Sequence, residues 1–266
     1  MTLLITGGTG YLGGELVRQA GPAAAHPRLE LLDPAAVRRG FEAVRPSAVI
    51  HTAYRQDDAR VNSDGSAAVA EAAAEAGARL IHISTDLVFD GRATTAYTED
   101  DEPHPLDDYG RSKLDAERRV LRLHPAALVV RTSLLVGRER PGRQEQAVLA
   151  AARGEREMTF FEDEWRSPIL VSDLAAALLE LAGMDLAGIL HVAGAEPVNR
   201  YQLACAIAEA HGESAARLRR GSLSESGLDR AANCILDSSR ARGLLSTPLP
   251  GVLDRIGGEW KSGSGG

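Results

Sequence analysis

Aromatic residues make up only 4% of this 266-residue sequence, and cysteine is scarcer still, with two. Cys205 and Cys234 show no C-x-x-C spacing, which excludes a disulfide framework and makes a reducing cytoplasm the expected compartment. No apolar run approaches the ~18 residues of a membrane span, and no basic region precedes the first apolar residues. Neither membrane insertion nor secretion is expected. The seven histidines are scattered, and without ligand spacing no metal is expected. Lys and Arg number 30 against 37 Asp and Glu, a net charge of -7, which argues against a nucleic acid or an anionic membrane as partner.

What remains is an ordinary globular composition, 44% hydrophobic and 25% charged. At about 150 residues per domain, the length suits one large α/β domain with a smaller lobe. Short β-branched or leucine-rich runs alternate with alanine-rich stretches of helical period. The runs are Thr2–Thr6, Arg28–Leu32, Ala48–Thr52, Arg79–Ser84, Ala127–Arg131 and Ile189–Val192. The helical windows are Tyr11–Gln19, Ala35–Val44, Asn62–Ala76, Gly110–Leu123, Gln144–Arg153, Val171–Ala182 and Asn199–His211. Such alternation predicts a Rossmann-type doubly wound parallel sheet. The rhythm breaks after Arg131, so residues 1–134 and 169–195 are expected to form the dinucleotide-binding domain. Residues 135–168 and 196–260 then form a small substrate lobe, and 261–266 a flexible tail. Ser214–Gly227 reads as loop, and no internal repeat is present.

Thr6-Gly7-Gly8-Thr9-Gly10-Tyr11-Leu12-Gly13 follows the first strand and opens the first helix. Gly7 permits a tight turn, Gly10 clears the approach to a pyrophosphate, and Gly13 lets helix and sheet pack closely. The helix N-terminus then offers free N–H groups and a positive dipole end to phosphate. Thr9, Tyr11 and Leu12 belong to the same turn. Asp33, about 20 positions beyond Gly13, reads equally as an acceptor for the adenosine ribose and as the N-cap of a helix starting at Pro34.

A second constellation combines Ser84 and Thr85, at the end of the fourth strand, with Tyr109 and Lys113, four apart on a helix and so on one face. A neighbouring ammonium lowers a phenol's pKa towards neutrality, which suits Tyr109 to proton transfer. The Thr85 hydroxyl is placed to hold a carbonyl oxygen while hydride reaches its carbon. The third strand ends in Thr52-Ala53-Tyr54-Arg55-Gln56, where Ala53 and Tyr54 face the cofactor and Tyr54 and Arg55 the substrate mouth. Arg138, Arg140, Arg143, Arg166, Arg219 and Arg220 are candidates for a diphosphate, with Arg166 ranked first beside Trp165 and Pro168. His51 and His82 lie within strand patterns and read as hydrogen-bonded core histidines. Cys205 reads as inert packing.

These motifs, with Ser84-Thr85-Asp86-Leu87-Val88-Phe89-Asp90-Gly91, Arg131-Thr132-Ser133-Leu134 and Arg166-Ser167-Pro168, resemble the extended short-chain dehydrogenase/reductase superfamily. Within it they are most similar to dTDP-4-dehydrorhamnose reductases, over nearly the whole chain to about Trp260. The resemblance implies an oxidoreductase that uses NADPH or NADH on a carbonyl of a nucleotide-activated sugar. It casts Thr85 as the hydroxyl, Tyr109 as the acid/base and Lys113 as the ribose contact. It sets Thr132 and Ser133 beside the nicotinamide, Asp86 and Val88 at the substrate, and allows a homodimer. A resemblance to the methionine adenosyltransferase regulatory subunit implies an alternative, a dinucleotide-binding subunit without turnover. A reductase of a secondary-metabolite carbonyl or imine is a third reading. The family's second strand is cut short here, since only Ala20–Leu31 separates the first helix from the Leu-Asp-Pro helix start. Leu29–Leu32 is expected to occupy that strand position, because a gap in mid-sheet would strand backbone groups.

Overall fold

A computed structural model describes residues 2–137 and 140–256. Arg138, the 257–260 end of the expected lobe and the 261–266 tail lie outside the described residues. Ten helices and thirteen strands are described, besides short 3-10 turns. The first half runs β1 (Leu3–Thr6), α1 (Tyr11–Ala20), β2 (Ala24–Ala25), α2 (Pro34–Val44), β3 (Ala48–His51), α3 (Ala59–Glu75), β4 (Arg79–Thr85), α4 (Asp108–Leu123) and β5 (Leu128–Thr132). Next come β6 (Leu135–Val136), α5 (Arg143–Arg153), β7 (Thr159–Phe161), β8 (Trp165–Arg166), β9 (Ile169–Leu170), α6 (Val171–Leu181) and β10 (Gly188–His191). The chain finishes with β11 (Val198–Asn199), α7 (Arg200–Ala210), β12 (Arg219–Gly221), α8 (Leu223–Ser226), β13 (Asn233–Cys234), α9 (Ser239–Leu244) and α10 (Val252–Ile256).

The main sheet has six parallel strands in the order β10-β5-β4-β3-β1-β2. Successive side chains of a strand point to opposite faces. Leu3 and Ile5 therefore join Leu12, Leu16, Leu174 and Leu178 in one core, under α1 and α6. Leu4 joins Val37, Phe41, Val69 and Val120 in the other, under α2, α3 and α4. Both faces are covered, which explains strands that read as continuous apolar runs rather than alternating ones. Strand order reverses between β1 and β3, and the crevice outside their carboxyl ends is where this architecture places ligands.

Smaller sheets form beyond β5: β6 with β9, β7 with β12, and β8 between β11 and β13. A third core of Val148, Leu149, Leu203, Ile207, Val252 and Ile256 holds α5, α7 and α10 together. The segment 214–227, expected as loop, contains β12 and α8, because Arg219–Gly221 pairs in parallel with Thr159–Phe161. Among the described residues, no helix is long and apolar enough to cross a membrane.

The second strand is not Leu29–Leu32. Ala24 and Ala25 pair with Leu3 and Leu4, so the sheet is completed by two residues reached through one 3-10 turn. Leu29 and Leu31 serve as packing plugs instead. Leu29 covers Gly40 of α2, where an added Cβ would stand 2.4 Å from its Cδ2, and Leu31 lies on Gly65 of α3. Asp33 N donates to Glu30 O at 3.1 Å, so residues 30–33 close a turn into the cap of α2 instead of pairing in the sheet.

Candidate active site

The glycine turn lies at the reversal point of the sheet. Gly7 has φ +72°, and a Cβ there would stand 2.8 Å from Ala53 N, so the turn touches the loop after β3 directly. A Cβ on Gly13 would fall 2.1 Å from Gly7 O, and α1 sits this close only because residue 13 has no side chain. Gly10 is the N-cap, makes no side-chain cap and bonds through its N–H to Gly7 O at 2.8 Å. The first N–H groups of α1 beyond it are those a helix leaves for an anion. Thr9 and Gly10 are exposed. Leu12 is a core residue, so only its backbone serves the turn. Tyr11 also turns its side chain away, towards Glu145 of α5.

Asp33 caps α2, accepting from Ala35 N at 2.9 Å and Ala36 N at 3.1 Å, and pairs with Arg39 at 3.6 Å. The residue that approaches the turn from the β2 side is His26, whose Cβ would lie 2.7 Å from a Cβ on Gly8. Nothing in the sequence marked it, because the position of β2 was not readable.

Thr85, Tyr109 and Lys113 gather at the carboxyl end of β4. Asp107 caps α4 through Gly110 N at 2.7 Å, and Gly110 lets the helix start press against Leu87 O, where a Cβ would lie 2.2 Å away. Tyr109 is partly exposed, yet burial around its oxygen pushes the phenol pKa up. Tyr54 and Asp86 add to that rise, and a hydrogen bond from Thr85 opposes it. The expected lowering by Lys113 is thus corrected. The ammonium is buried and donates to Ile83 O at 2.6 Å, while burial brings its own pKa down to about 8 against the pull of Glu117. A cleft of about 560 Å³ opens beside Tyr109, lined by Gln56, Asp57, Arg60, Asp108, Arg111 and Ser112 among others.

Several residues expected at ligands have their side chains occupied by the protein. The Ser84 hydroxyl donates to buried Glu117. Asp86 is buried and accepts from Thr85 Oγ1 at 3.2 Å and Ser133 Oγ at 2.6 Å. Its pKa is raised by burial, against Arg166, Ser133 and Thr85. It braces Thr85 rather than facing solvent. Val88 is 0% exposed and packs with Phe89 and Leu114, so a substrate-facing side chain there is corrected. Arg166 is 4% exposed, with Asp86 Oδ2 at 3.6 Å, Glu164 Oε1 at 3.3 Å and Trp165 O at 2.8 Å around its guanidinium. It ties β8 to the end of β4. Arg219 and Arg220 form exposed pairs with Glu157 and Glu162.

Thr132 is different. Its Oγ1 is buried without a partner at the carboxyl end of β5, in register with Thr85. A glycine cradle beside the loop after β3 fits the pyrophosphate of a nicotinamide dinucleotide, and an orphaned hydroxyl at the end of β5 fits a polar group towards its nicotinamide end. Tyr54 is 57% exposed, its ring centroid 6.1 Å from that of Tyr109. Arg55 pairs with Asp57 at 2.9 Å on the surface.

Sequence reasoning passed over Asn62, Glu164, Arg200 and Arg230. Asn62 is buried and pins the loop after β3, accepting from Arg55 N at 2.8 Å and donating to Arg55 O at 2.7 Å and Ser112 Oγ at 3.0 Å. Glu164 is 2% exposed and gathers Arg166, Arg200 at 3.9 Å and Arg230 at 2.9 Å. Only the Asn62 position, in the first turn of a helix just after the loop, carried a readable signal. His51 is bonded as expected, to Thr6 at 2.5 Å and Ser66 at 3.0 Å. His82 is not, and both its ring nitrogens lack partners. Among the described residues, no cluster of His, Cys, Asp and Glu is arranged for a metal.

The family model described as the RmlD substrate binding domain matches residues 1–252. A dTDP-4-dehydrorhamnose reductase of Mycobacterium tuberculosis is 37% identical over 237 residues, covering 82% of this chain and 78% of the relative. Methionine adenosyltransferase 2 subunit beta of Rattus norvegicus is 34% identical over 273 aligned positions, covering 90% and 80%. Among solved structures, dTDP-4-dehydrorhamnose reductase from Bacillus anthracis in complex with NADP superposes with TM-score 0.86 at 25% identity, over 96% of both chains. A hypothetical dTDP-4-dehydrorhamnose reductase from Sulfolobus tokodaii gives 0.82 at 30% identity, over 96% of this chain and 98% of that one. With its glycine turn, its Thr-Tyr-Lys constellation and a family match over nearly its whole length, the chain belongs to the dTDP-4-dehydrorhamnose reductase-like family of the RmlD substrate binding domain.

Proposed function

We propose that this protein is an NADPH- or NADH-dependent reductase of a carbonyl on a nucleotide-activated sugar. The observation that carries the reading is the carboxyl end of the sheet, where Thr85 lies in register with the orphaned Thr132 hydroxyl and Tyr109 stands in the first turn of α4 against Leu87, while the first strand of the same sheet feeds the glycine turn. The reductase from Bacillus anthracis, solved with NADP, supports the cofactor class.

The turn from Gly7 to Gly13 would hold the pyrophosphate, with Thr132 and Ser133 towards the other end. Nicotinamide, when bound, supplies the hydride. The chain's part is the proton. Tyr109, its pKa raised above that of a free phenol, keeps its proton through the neutral range and gives it to the oxygen that becomes the alcohol. The Thr85 hydroxyl, which donates to Asp86, would turn its one proton to the same oxygen when substrate is bound. Lys113 remains an ammonium below about pH 8, a positive charge near where the phenolate forms. Tyr54, exposed beside Tyr109, offers an aromatic wall to the sugar, and Arg55 a cation at the mouth.

The test is to titrate the protein with NADPH and NADH and follow nicotinamide absorbance with a panel of 4-keto nucleotide sugars. Oxidation that disappears in Tyr109→Phe supports the reductase, and failure to bind either dinucleotide overturns it. A second reading, a dinucleotide-binding subunit without turnover, is favoured by the similarity to methionine adenosyltransferase 2 subunit beta. Tight binding with no oxidation across the panel would select it.

A further inference from the structure

Tyr11 occupies the first position of α1, so its amide belongs to the phosphate-facing end of the helix while its side chain leaves for α5. Its hydroxyl donates to Glu145 Oε2 at 2.8 Å. Glu145 is 1% exposed and also accepts from Gly137 N at 3.0 Å and from Gly142 N at 2.7 Å. The phenol ring passes between those two glycines. A Cβ on Gly137 would stand 2.2 Å from the Tyr11 oxygen, and one on Gly142 would stand 2.9 Å from its Cε1. The two glycines and the buried carboxylate therefore form a socket shaped to Tyr11, and this socket fixes the start of α5 against the glycine turn.

Arg140 and Arg143 flank the socket, both exposed and without an ion pair among the described residues. Their fields fall on the acids either side of the turn. A hydrogen bond from Arg18 holds Glu15 of α1 low, with Arg140 contributing at longer range. A hydrogen bond from Arg55 holds Asp57 low, with Arg143 contributing likewise.

We propose that Tyr11 and Glu145 are positioning residues that hold Arg140 and Arg143 as an accessory clamp on the pyrophosphate of the dinucleotide. The proposal rests on the reading that the glycine turn takes a nicotinamide dinucleotide. The clamp adds two exposed cations to a turn that otherwise binds through backbone N–H groups, so its contribution depends on ionic strength.

NADPH affinity of the full chain, measured by calorimetry at low and high salt, tests it with three variants: Tyr11→Phe, Arg140→Gln/Arg143→Gln, and all three changes together. Tyr11→Phe is expected to bind about tenfold more weakly at low salt and to show a flatter salt dependence. The exposed arginine pair should reproduce both effects without touching the core, and the triple variant should lose no more than the pair. Wild-type affinity and salt dependence in Tyr11→Phe or in the arginine pair, or losses that multiply in the triple variant, would overturn the clamp. A wild-type chain that binds no dinucleotide would instead remove the reading beneath it.

Discussion

Arg131 of β5 and Glu117 of α4 form a two-point ion pair inside the protein, with Nη2 2.8 Å from Oε2, Nε 3.0 Å from Oε1 and both side chains 2% exposed. Ser84 donates to the same carboxylate, and the guanidinium lies 5.1 Å over the Phe89 ring. Removing one partner of such a pair leaves a buried charge without its counter-ion. Glu117→Gln is expected to lower the unfolding free energy by about 3–5 kcal/mol in urea titration. Glu117→Met/Arg131→Met together should recover most of that loss. A single variant as stable as wild type would show that the pair is not needed to neutralise Arg131.

Gly13 and Gly14 are neighbours with opposite expectations. Gly13→Ala drives a methyl into Gly7 O at 2.1 Å and should cost about 1–3 kcal/mol and abolish dinucleotide binding. Gly14→Ala meets Gly8 O at an ordinary 3.6 Å inside a helix and should stabilise by about 0.5–1 kcal/mol. Thermal melts with and without NADPH separate the two.

His82 has no partner for either ring nitrogen and is 0% exposed. Burial, with Lys113 and His51 nearby, lowers its pKa well below the ordinary value, and burial lowers that of His51 to about 3. Below about pH 6.5 the unfolded chain takes up these protons and the folded chain does not, so stability falls as pH drops towards 3. Each group contributes at most about 1.4 kcal/mol per pH unit. His82→Leu should flatten this acid limb in pH-dependent urea midpoints. An unchanged slope would mean that His82 titrates normally.

Asp33 bonds two N–H groups of α2, so Asp33→Ala should cost about 1 kcal/mol of stability. The ratio of NADH to NADPH affinity should stay where it was. A selective loss of NADH would restore Asp33 to the ribose.

Tyr109→Phe is expected to cut turnover by about 10²–10⁴-fold while leaving NADPH affinity within a factor of two or so. Loss of binding in proportion to loss of rate would mean that the phenol holds the dinucleotide rather than the proton.

The sheet and its helices were readable because long runs such as Arg79–Thr85 and Asp108–Leu123 carry their period in their own residues. The glycine turn was readable for a similar reason, since its three glycines and its flanking strand and helix all lie between Leu3 and Ala20. β2 was not, because two alanines have no pattern, and their strand exists only through pairing with Leu3 and Leu4. Arg166 looked like a ligand contact because sequence shows a charge and not its neighbours. Asp86 and Glu164, which enclose it, come from the end of β4 and the approach to β8, 78 positions apart in the chain but joined in space. Spacing put Lys113 on the face of Tyr109, and what it could not show is the Ile83 carbonyl that accepts from its ammonium.

The brevity of β2 also bears on how the molecule meets its own kind. A sheet edge of two residues offers too few unpaired amides to template another chain's strand. At the opposite edge, His191 N donates to Glu99 Oε1 at 2.9 Å and Arg240 reaches the Ile189 carbonyl at 3.4 Å, so β10 is occupied from outside as well. One flank of the sheet is too short to be extended and the other is already covered, which closes both routes to edge-to-edge aggregation.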